Sequence, residues 1–342
     1  MQSAATETQY SIVDKAKQLH ERALVWDQTF PASLDCGTWP DHHRALERMR
    51  ASGYDVVSMT IGVDPDNTLD SVQRISMWRK YLAENTDRYV LMLNADDAEA
   101  AKKAGKLAVG MHFQGTTPFA RDIGLVEVFY ALGIRHALMA YNQKNNVGDG
   151  CHERTDGGLS RFGMDLVREM ERVGMVVDCT HTGSKTSLDV FEMATKPVIY
   201  SHSNSAVLWD HQRNISDDLA RACAKTGGVV GINGIGVFLG ENDDSTEALF
   251  RHVDHFVQLL GSRHVAIGLD SVSDTKILTA TVHSRKAMYP AGQNYEEDEF
   301  KVVKPEQIPE LTELMVRANY SDEDVMNVLG ENWMRIAREV WK

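Results

Sequence analysis

The sequence predicts a parallel (β/α)8 barrel. Short apolar, β-branched runs near residues 25, 55, 108, 136, 175, 197, 229 and 264 alternate with amphipathic stretches, the pattern of parallel strands joined by crossover helices. Many of these runs stop abruptly in polar or titratable residues, as barrel strands do where they reach a reactive face. A length of 342 residues with 43% hydrophobic content suits one large core. The expected organisation is a single barrel domain over 1–342, with an N-terminal helix in 1–23 and C-terminal helices in 305–342 packed on the barrel.

Taken in order, residues about 8–23 read as an amphipathic helix with Ile12, Val13, Ala16 and Leu19 on one stripe, followed by the strand ALVWDQTF. A helix over about 41–52 stops at Gly53 and leads into YDVVSMTIG. A long helix over 68–86 precedes YVLMLN, a short strand set aside from the main sheet. A helix over Ala95–Ala104, the strand KLAVGMHFQG, a helix near 122–132 and the strand IRHALMAYNQKN come next. The Gly-rich, charged loop from Asn145 to Leu159 reads equally as an active-site loop or a solvated connection.

Two strands, MVVDCTHTG and KPVIYSHSN, flank a helix in which Leu188, Val190, Phe191 and Met193 share a face. Beyond them lie the helix DLARACAKTGG, the strand GVVGINGIG, a helix over 246–261 and the last strand, HVAIGLDSV. Residues 274–304, containing EEDEF, read as a long loop or lid. The tail reads as two helices, with a capping pair at Ser321 and Asp324 and a bend or stop at Gly330.

An excess of 49 acidic over 36 basic residues, a formal charge of -13, argues against nucleic acid or an anionic membrane as partner. No apolar run is long enough to span a bilayer, and the first residues lack a basic start and apolar signal core, so a cytoplasmic location is expected. Cys36, Cys151, Cys179 and Cys223 are widely spaced without a CxxC pair, which points to neither a disulfide framework nor a structural zinc site.

His181 and His202 end consecutive strands of one βαβ unit. A right-handed crossover makes those strands parallel, so both imidazoles emerge at the same edge, as metal ligands would. The alternative for each is a strand-capping hydrogen bond. The other strand ends supply Asp27, Thr29, Thr60, His112, Gln114, Tyr141, Asn142, Asp178, Asn233 and Asp270. Two histidines and Asp270 can form a hydrolytic metal site that activates water. Asp270 reads as ligand, as proton-accepting base, or as a helix cap; Asp178 and Asp27 read first as structural.

The runs DCTHTG, KPVIYSHSN, HQRNISDD, GVVGIN and HVDHFVQLLGSRHVAIGLDSV, with the tail YSDEDVMNVLGENWMRI, resemble the membrane (renal-type) dipeptidase family from about residue 20 onward. The resemblance implies a barrel of the metal-dependent amidohydrolase type, a binuclear zinc centre, dipeptide hydrolysis and a homodimer. It makes His181 and His202 ligands of one zinc, Arg213 the anchor of the substrate carboxylate or tetrahedral intermediate, and Asp270 the proton carrier.

The resemblance also marks departures. Thr29 and Pro31 stand where that family carries a His-x-Asp pair, Gln114 where it carries a bridging glutamate, and Tyr141 where a histidine polarises the carbonyl. A neutral amide cannot bridge two zinc ions. One zinc or other divalent ion at most is therefore expected on His181 and His202, with Gln114, His112 or Asp270 as further donors; no metal is the remaining alternative. His112 reads otherwise as a hydrogen-bonded core histidine. Tyr141 is expected to assist at the oxyanion, and Asn142 and Asn233 to contact substrate alongside Arg213. The expected function is metal-dependent hydrolysis of a dipeptide or similar small amide. The alternative is a divergent member that acts on or binds another small carboxylate-bearing metabolite.

Overall fold

The computed structural model describes residues 2–33 and 36–342, with side chains from residue 11 onward. Strands β1 (Trp26–Pro31), β2 (Val56–Val63), β4 (Leu107–Gln114), β5 (Ile134–Leu138) and β6 (Val176–Asp178) pair in that order, all parallel. Between β2 and β4 in the chain, β3 (Tyr89–Leu91) pairs with the first half of β4, off the main path as expected for YVLMLN. It shares that edge of β4 with β5, which takes over from Met111.

The run KPVIYSHSN was expected as a regular strand. Instead it joins the wall through single bridges, Ile199 to Asp178 and Tyr200 to Val230. Pro197 has no N–H to donate, and the Val198 N–H goes to the Thr226 hydroxyl at 3.0 Å. The wall continues through β7 (Val230–Ile232) and β8 (Val265–Ile267), which are parallel to each other. It closes where the Asp270 N–H donates to the Thr29 carbonyl at 3.1 Å.

The C-terminal segments plug the N-terminal end of this barrel. Trp333 donates its indole N–H to the Ile267 carbonyl at 2.9 Å, and Asn332 reaches the Val265 carbonyl at 2.8 Å. Trp333, Met334 and Ile336 form a buried cluster with Trp26, Val56, Ala108 and Ala266 from the strand starts. The opposite end of the barrel is left for the site.

The first helix spans Gln2–Arg22; Ala16 and Leu19 are buried, but Val13 is exposed. Leu188 likewise faces solvent, while Val190 is buried. A strongly amphipathic helix, Arg161–Val173, capped by Ser160 and burying Leu166, Val167 and Met170, follows the Asn145–Leu159 loop where the sequence reading placed none. Residues 274–304 contain a helix, Thr275–Ser284, whose start is fixed by the Asp274 carboxylate accepting from the Lys276 and Ile277 N–H groups. In the tail, Ser321 and Asp324 form the expected capping box, and the chain breaks from helical geometry at Gly330.

Two glycines let the irregular strand pass close to its neighbours: a Cβ on Gly231 or Gly268 would run into the Ser201 carbonyl oxygen. Gly268→Ala, whose Cβ would meet a backbone oxygen that cannot swing away, is therefore expected to cost about 3 kcal/mol or more through overpacking. Gly53→Ala meets only open space at a left-handed φ of +86°, and should cost about 1–2 kcal/mol. Calorimetric melting of both variants checks the order, and a smaller shift for Gly268→Ala would contradict the close approach.

Candidate active site

At the base of the site is a pair of imidazoles, of which His181 lines the cavity and His202 lies behind it. His181 Nε2 and His202 Nε2 lie 3.1 Å apart, both residues buried. Asn142 Oδ1 is 2.6 Å from His181 Nδ1, and its Nδ2 donates to the Met288 carbonyl at 3.2 Å. That second bond fixes the amide's orientation, so His181 Nδ1 carries the proton and Nε2 the lone pair. His202 Nδ1 faces the Ser201 hydroxyl at 2.8 Å and the Thr29 hydroxyl at 3.1 Å. Burial, followed by the Arg213 guanidinium, holds both imidazoles well below the ordinary histidine value, so both are neutral. Two lone pairs cannot face each other at this distance; a proton on His202 Nε2, or a cation, must join them.

Three side chains that line the cavity come from three different strand ends and share an unusual backbone. Asn142, His181 and Asp270 have φ of 57°, 66° and 57°. Left-handed geometry at non-glycine residues costs on the order of 1 kcal/mol each and persists where surrounding structure over-determines it, typically at functional sites.

Asp270 accepts from Asn233 Nδ2 at 3.3 Å through Oδ2, while its buried Oδ1 has no hydrogen-bond partner. Burial pushes this carboxyl up to about 6, against the opposing effects of Arg213, Asn233 and Gln114. Asp27, fully buried beneath it, accepts N–H bonds from Leu269 at 2.9 Å and Thr29 at 3.1 Å. Burial raises it to about 7, and the charge of Asp270 adds to the rise. Through Oδ1, Asp27 thus ties β1 to the end of β8 rather than capping a helix, while its buried Oδ2 has no hydrogen-bond partner.

Arg213 is 3% exposed and pairs with no carboxylate among the described residues. Its Nη2 donates to the His202 carbonyl at 3.2 Å, its Nε has no partner, and its guanidinium lies 5.2 Å from the centre of the Phe238 ring. It stands behind Phe238, outside the residues that line the cavity. Tyr141 does line it, stacked on His181 at 4.1 Å and bonded to the Tyr289 hydroxyl at 2.9 Å. Burial raises its phenol well above the usual value, so Tyr141 is a hydrogen-bond donor and not a phenolate.

The remaining predicted residues are held in protein contacts. Gln114 lines the cavity and donates to the Thr60 hydroxyl at 3.0 Å. His112 has both nitrogens on hydroxyls, Ser58 at 2.9 Å and Thr60 at 3.0 Å, and stacks on His136 at 4.1 Å; neither nitrogen is left for a metal. Asn233 holds Asp270 with its amide N–H and accepts the Ile235 N–H at 2.6 Å, and it does not line the cavity. Asp178 accepts from the Thr180 and Ser201 N–H groups and faces His136 Nδ1 at 3.2 Å, a structural role.

Sequence reasoning missed the side chains that roof the site. Val272, Leu278, Val282, Tyr289, Tyr295 and Phe300 descend from residues 272–300 onto a cavity of about 60 Å³, room for about two water molecules. The signal was present in the spacing of Leu278 and Val282 and in the aromatic residues beside EEDEF. The sequence reading makes this segment a long loop or lid, without naming the side chains that face the site. From the Asn145–Leu159 loop, Cys151 touches the Asn142 amide oxygen, and His152 Nε2 meets the Tyr295 hydroxyl at 2.9 Å.

Histidines, an aspartate and an unpaired arginine at the C-terminal end of a (β/α)8 wall define a hydrolase-type barrel site. More particularly, the chain belongs to the membrane dipeptidase family, Peptidase family M19, whose profile matches residues 6–280. It is similar to the crystal structure of an amidohydrolase from Pseudomonas aeruginosa, at 32% identity and a TM-score of 0.85, covering 95% of this chain and 99% of that one. An uncharacterized Klebsiella pneumoniae protein from the 5′ region of pqqA is 28% identical over 290 residues, 81% of this chain and 99% of its own. Dipeptidase verJ of Clonostachys rogersoniana is 27% identical over 325 residues, 90% of this chain and 78% of its own.

The family implies a divalent metal. The residues fit one such ion in the two convergent Nε2 atoms, each imidazole oriented through its other nitrogen as metal-bound histidines are. They do not fit two, since no group of three or more His, Cys, Asp or Glu side chains is disposed around a metal position among the described residues. A catalytic zinc usually takes three protein donors, so Gln114 or Asp270 would have to complete the set.

Asp27 also yields a stability prediction. Its folded value of about 7 exceeds the ordinary 3.8, so the folded state keeps a proton that the unfolded state releases. Its contribution to stability is complete at pH below 3.8 and declines as pH rises toward 7. Asp27→Asn retains an oxygen for both N–H groups and removes this decline. Its urea midpoint should therefore rise relative to the parent's between about pH 4 and pH 7; a constant difference would contradict the raised value.

Proposed function

We propose that the protein is a metal-assisted hydrolase of a dipeptide or similar small amide. The observation that carries this reading is the convergence of His181 and His202 Nε2 at 3.1 Å, with His181 and Asp270, whose Oδ1 has no partner, both lining the cavity. Family membership supports it. A divalent ion on His181 and His202, zinc by the preference of imidazole donors and with Gln114 as third donor, would supply Lewis-acid polarisation and a water acidic near neutral pH.

The chain's own residues then act at stated atoms. Asp270, with a value near 6, takes a proton at Oδ1 and returns it to the leaving amine. Tyr141 turns its O–H from Tyr289 toward the developing oxyanion. Arg213 binds the substrate carboxylate through its unpartnered Nε, which requires Phe238 to move aside. The lid excludes bulk water.

A second reading is binding or conversion of another small carboxylate-bearing metabolite without hydrolysis. It is favoured by the shortage of a third metal donor and by an arginine that has no acid of its own.

Elemental analysis of zinc-loaded protein should find about one ion per chain, and none in His181→Ala. Dipeptide hydrolysis should be abolished by a chelator and restored by zinc. Dipeptide hydrolysis indifferent to chelation would overturn the metal-assisted reading, and carboxylate binding without turnover of any dipeptide would select the second. Arg213→Lys keeps the charge but loses the planar fork, so KM for a dipeptide is expected to rise tenfold or more with kcat less affected. Unchanged KM would remove Arg213 from the anchoring role.

A further inference from the structure

We infer that the substrate carries a bulky, uncharged apolar group, aromatic or branched aliphatic, that seats beneath the lid. This rests on the cavity being the substrate site and adds the substrate's chemical class to it.

Ile235, Val237, Phe238, Val282, Tyr295 and Phe300 belong to a hydrophobic cluster separate from the two that fill the barrel and its plug. Val272, Leu278 and Tyr289 pack against that cluster. It stands at the reactive end, directly over polar side chains. Leu278 and Val282 are one helical turn apart and both face the cavity, while Lys276, His283 and Ser284 of the same helix are exposed.

The polar atoms of the roof are already engaged. The Tyr295 hydroxyl meets His152, and the Tyr289 hydroxyl meets Tyr141. What they present to the cavity is ring surface. Asp270 is the one formally charged side chain among the described lining residues, and it belongs to the floor.

A charged or strongly polar substrate side chain at the roof would lose its hydration without gaining a partner. An apolar group would displace water from both surfaces. The floor therefore handles the amide, Arg213 behind Phe238 takes the carboxylate, and the roof selects by size and lack of charge. The small resting cavity means that the roof must lift to admit such a group, and its contact with the group then draws the roof down again.

The test is a panel of dipeptides with a common C-terminal glycine and Phe, Leu, Ala, Asp or Lys before it, assayed for kcat/KM with zinc-loaded parent and Leu278→Asp. Leu278 is only partly buried, so the variant should fold, and its melting midpoint verifies this. The parent should prefer Leu-Gly and Phe-Gly over Ala-Gly by at least tenfold, with Asp-Gly and Lys-Gly slowest. Leu278→Asp should erase that preference and improve Lys-Gly.

Hydrolysis of the panel without an apolar preference overturns the inference and leaves the hydrolase reading intact. If no dipeptide is cleaved, the hydrolase reading fails, and calorimetry with 3-phenylpropionate and propionate decides the inference alone. At least tenfold tighter binding of the aromatic acid upholds it, and equal affinities overturn it.

Discussion

The site depends on the seam where the barrel closes. A parallel wall must join its last strand to its first, and here that join is made by side chain as well as backbone. Asp27 Oδ1 accepts from Leu269 and Thr29, the Thr29 carbonyl accepts from Asp270, and the Thr29 hydroxyl reaches His202. One short stretch of β1 therefore positions both the acid and an imidazole. The cost is a fully buried carboxyl at about 7, which two N–H bonds only partly offset. Its consequence is that Asp270 is fixed by its own main chain before any ligand arrives.

Below this floor the interior is polar, against the usual pattern of branched apolar layers. Ser58 and Thr60 from β2 meet His112 from β4, which stacks on His136 from β5, which faces Asp178 from β6. Burial alone would raise Asp178, but the hydrogen bond and charge of His136, with help from His202 and Ser201, lower it. Satisfied networks of this kind are stiff, because each partner fixes the next one's orientation. The network ends at Thr60, which holds Gln114 against the cavity. Positions that look like spare ligands in the sequence are thus supports for the side chains that do line it.

The barrel was legible because β4 and β8 carry unbroken apolar runs and because the glycines after several helices stop them at φ near +90°, as at Gly53 and Gly227. His181 and His202 were legible for a geometric reason: strands of one βαβ unit share an exit edge, so their last residues must converge. Arg213 was legible through family resemblance, but not its position behind Phe238, because which ring covers a guanidinium depends on loops distant in sequence. The Arg161–Val173 helix was passed over although Leu166, Val167, Met170 and Val173 have helical spacing, since the Gly-rich loop before it dominated that region. The three left-handed residues could not have been foreseen. Nothing in Asn142, His181 or Asp270 as residue types demands αL; the closing seam and the loops beyond the strands impose it.

The apolar roof and the charged floor are best understood together. Arg213 and Asp270 influence each other's surroundings electrostatically without touching, and each keeps one buried polar atom unpaired. Such a pair is tolerable only in a protein that gains elsewhere, and it is functionally strong only where water is scarce. The hydrophobic cluster over the mouth provides that scarcity. If the roof were polar, water would screen the imidazoles and Asp270 and return the acid toward ordinary carboxylate behaviour; with an apolar roof, its raised value survives. Selection for an apolar substrate group follows from the same requirement, because the surface that keeps the floor dry is also the surface a substrate must match.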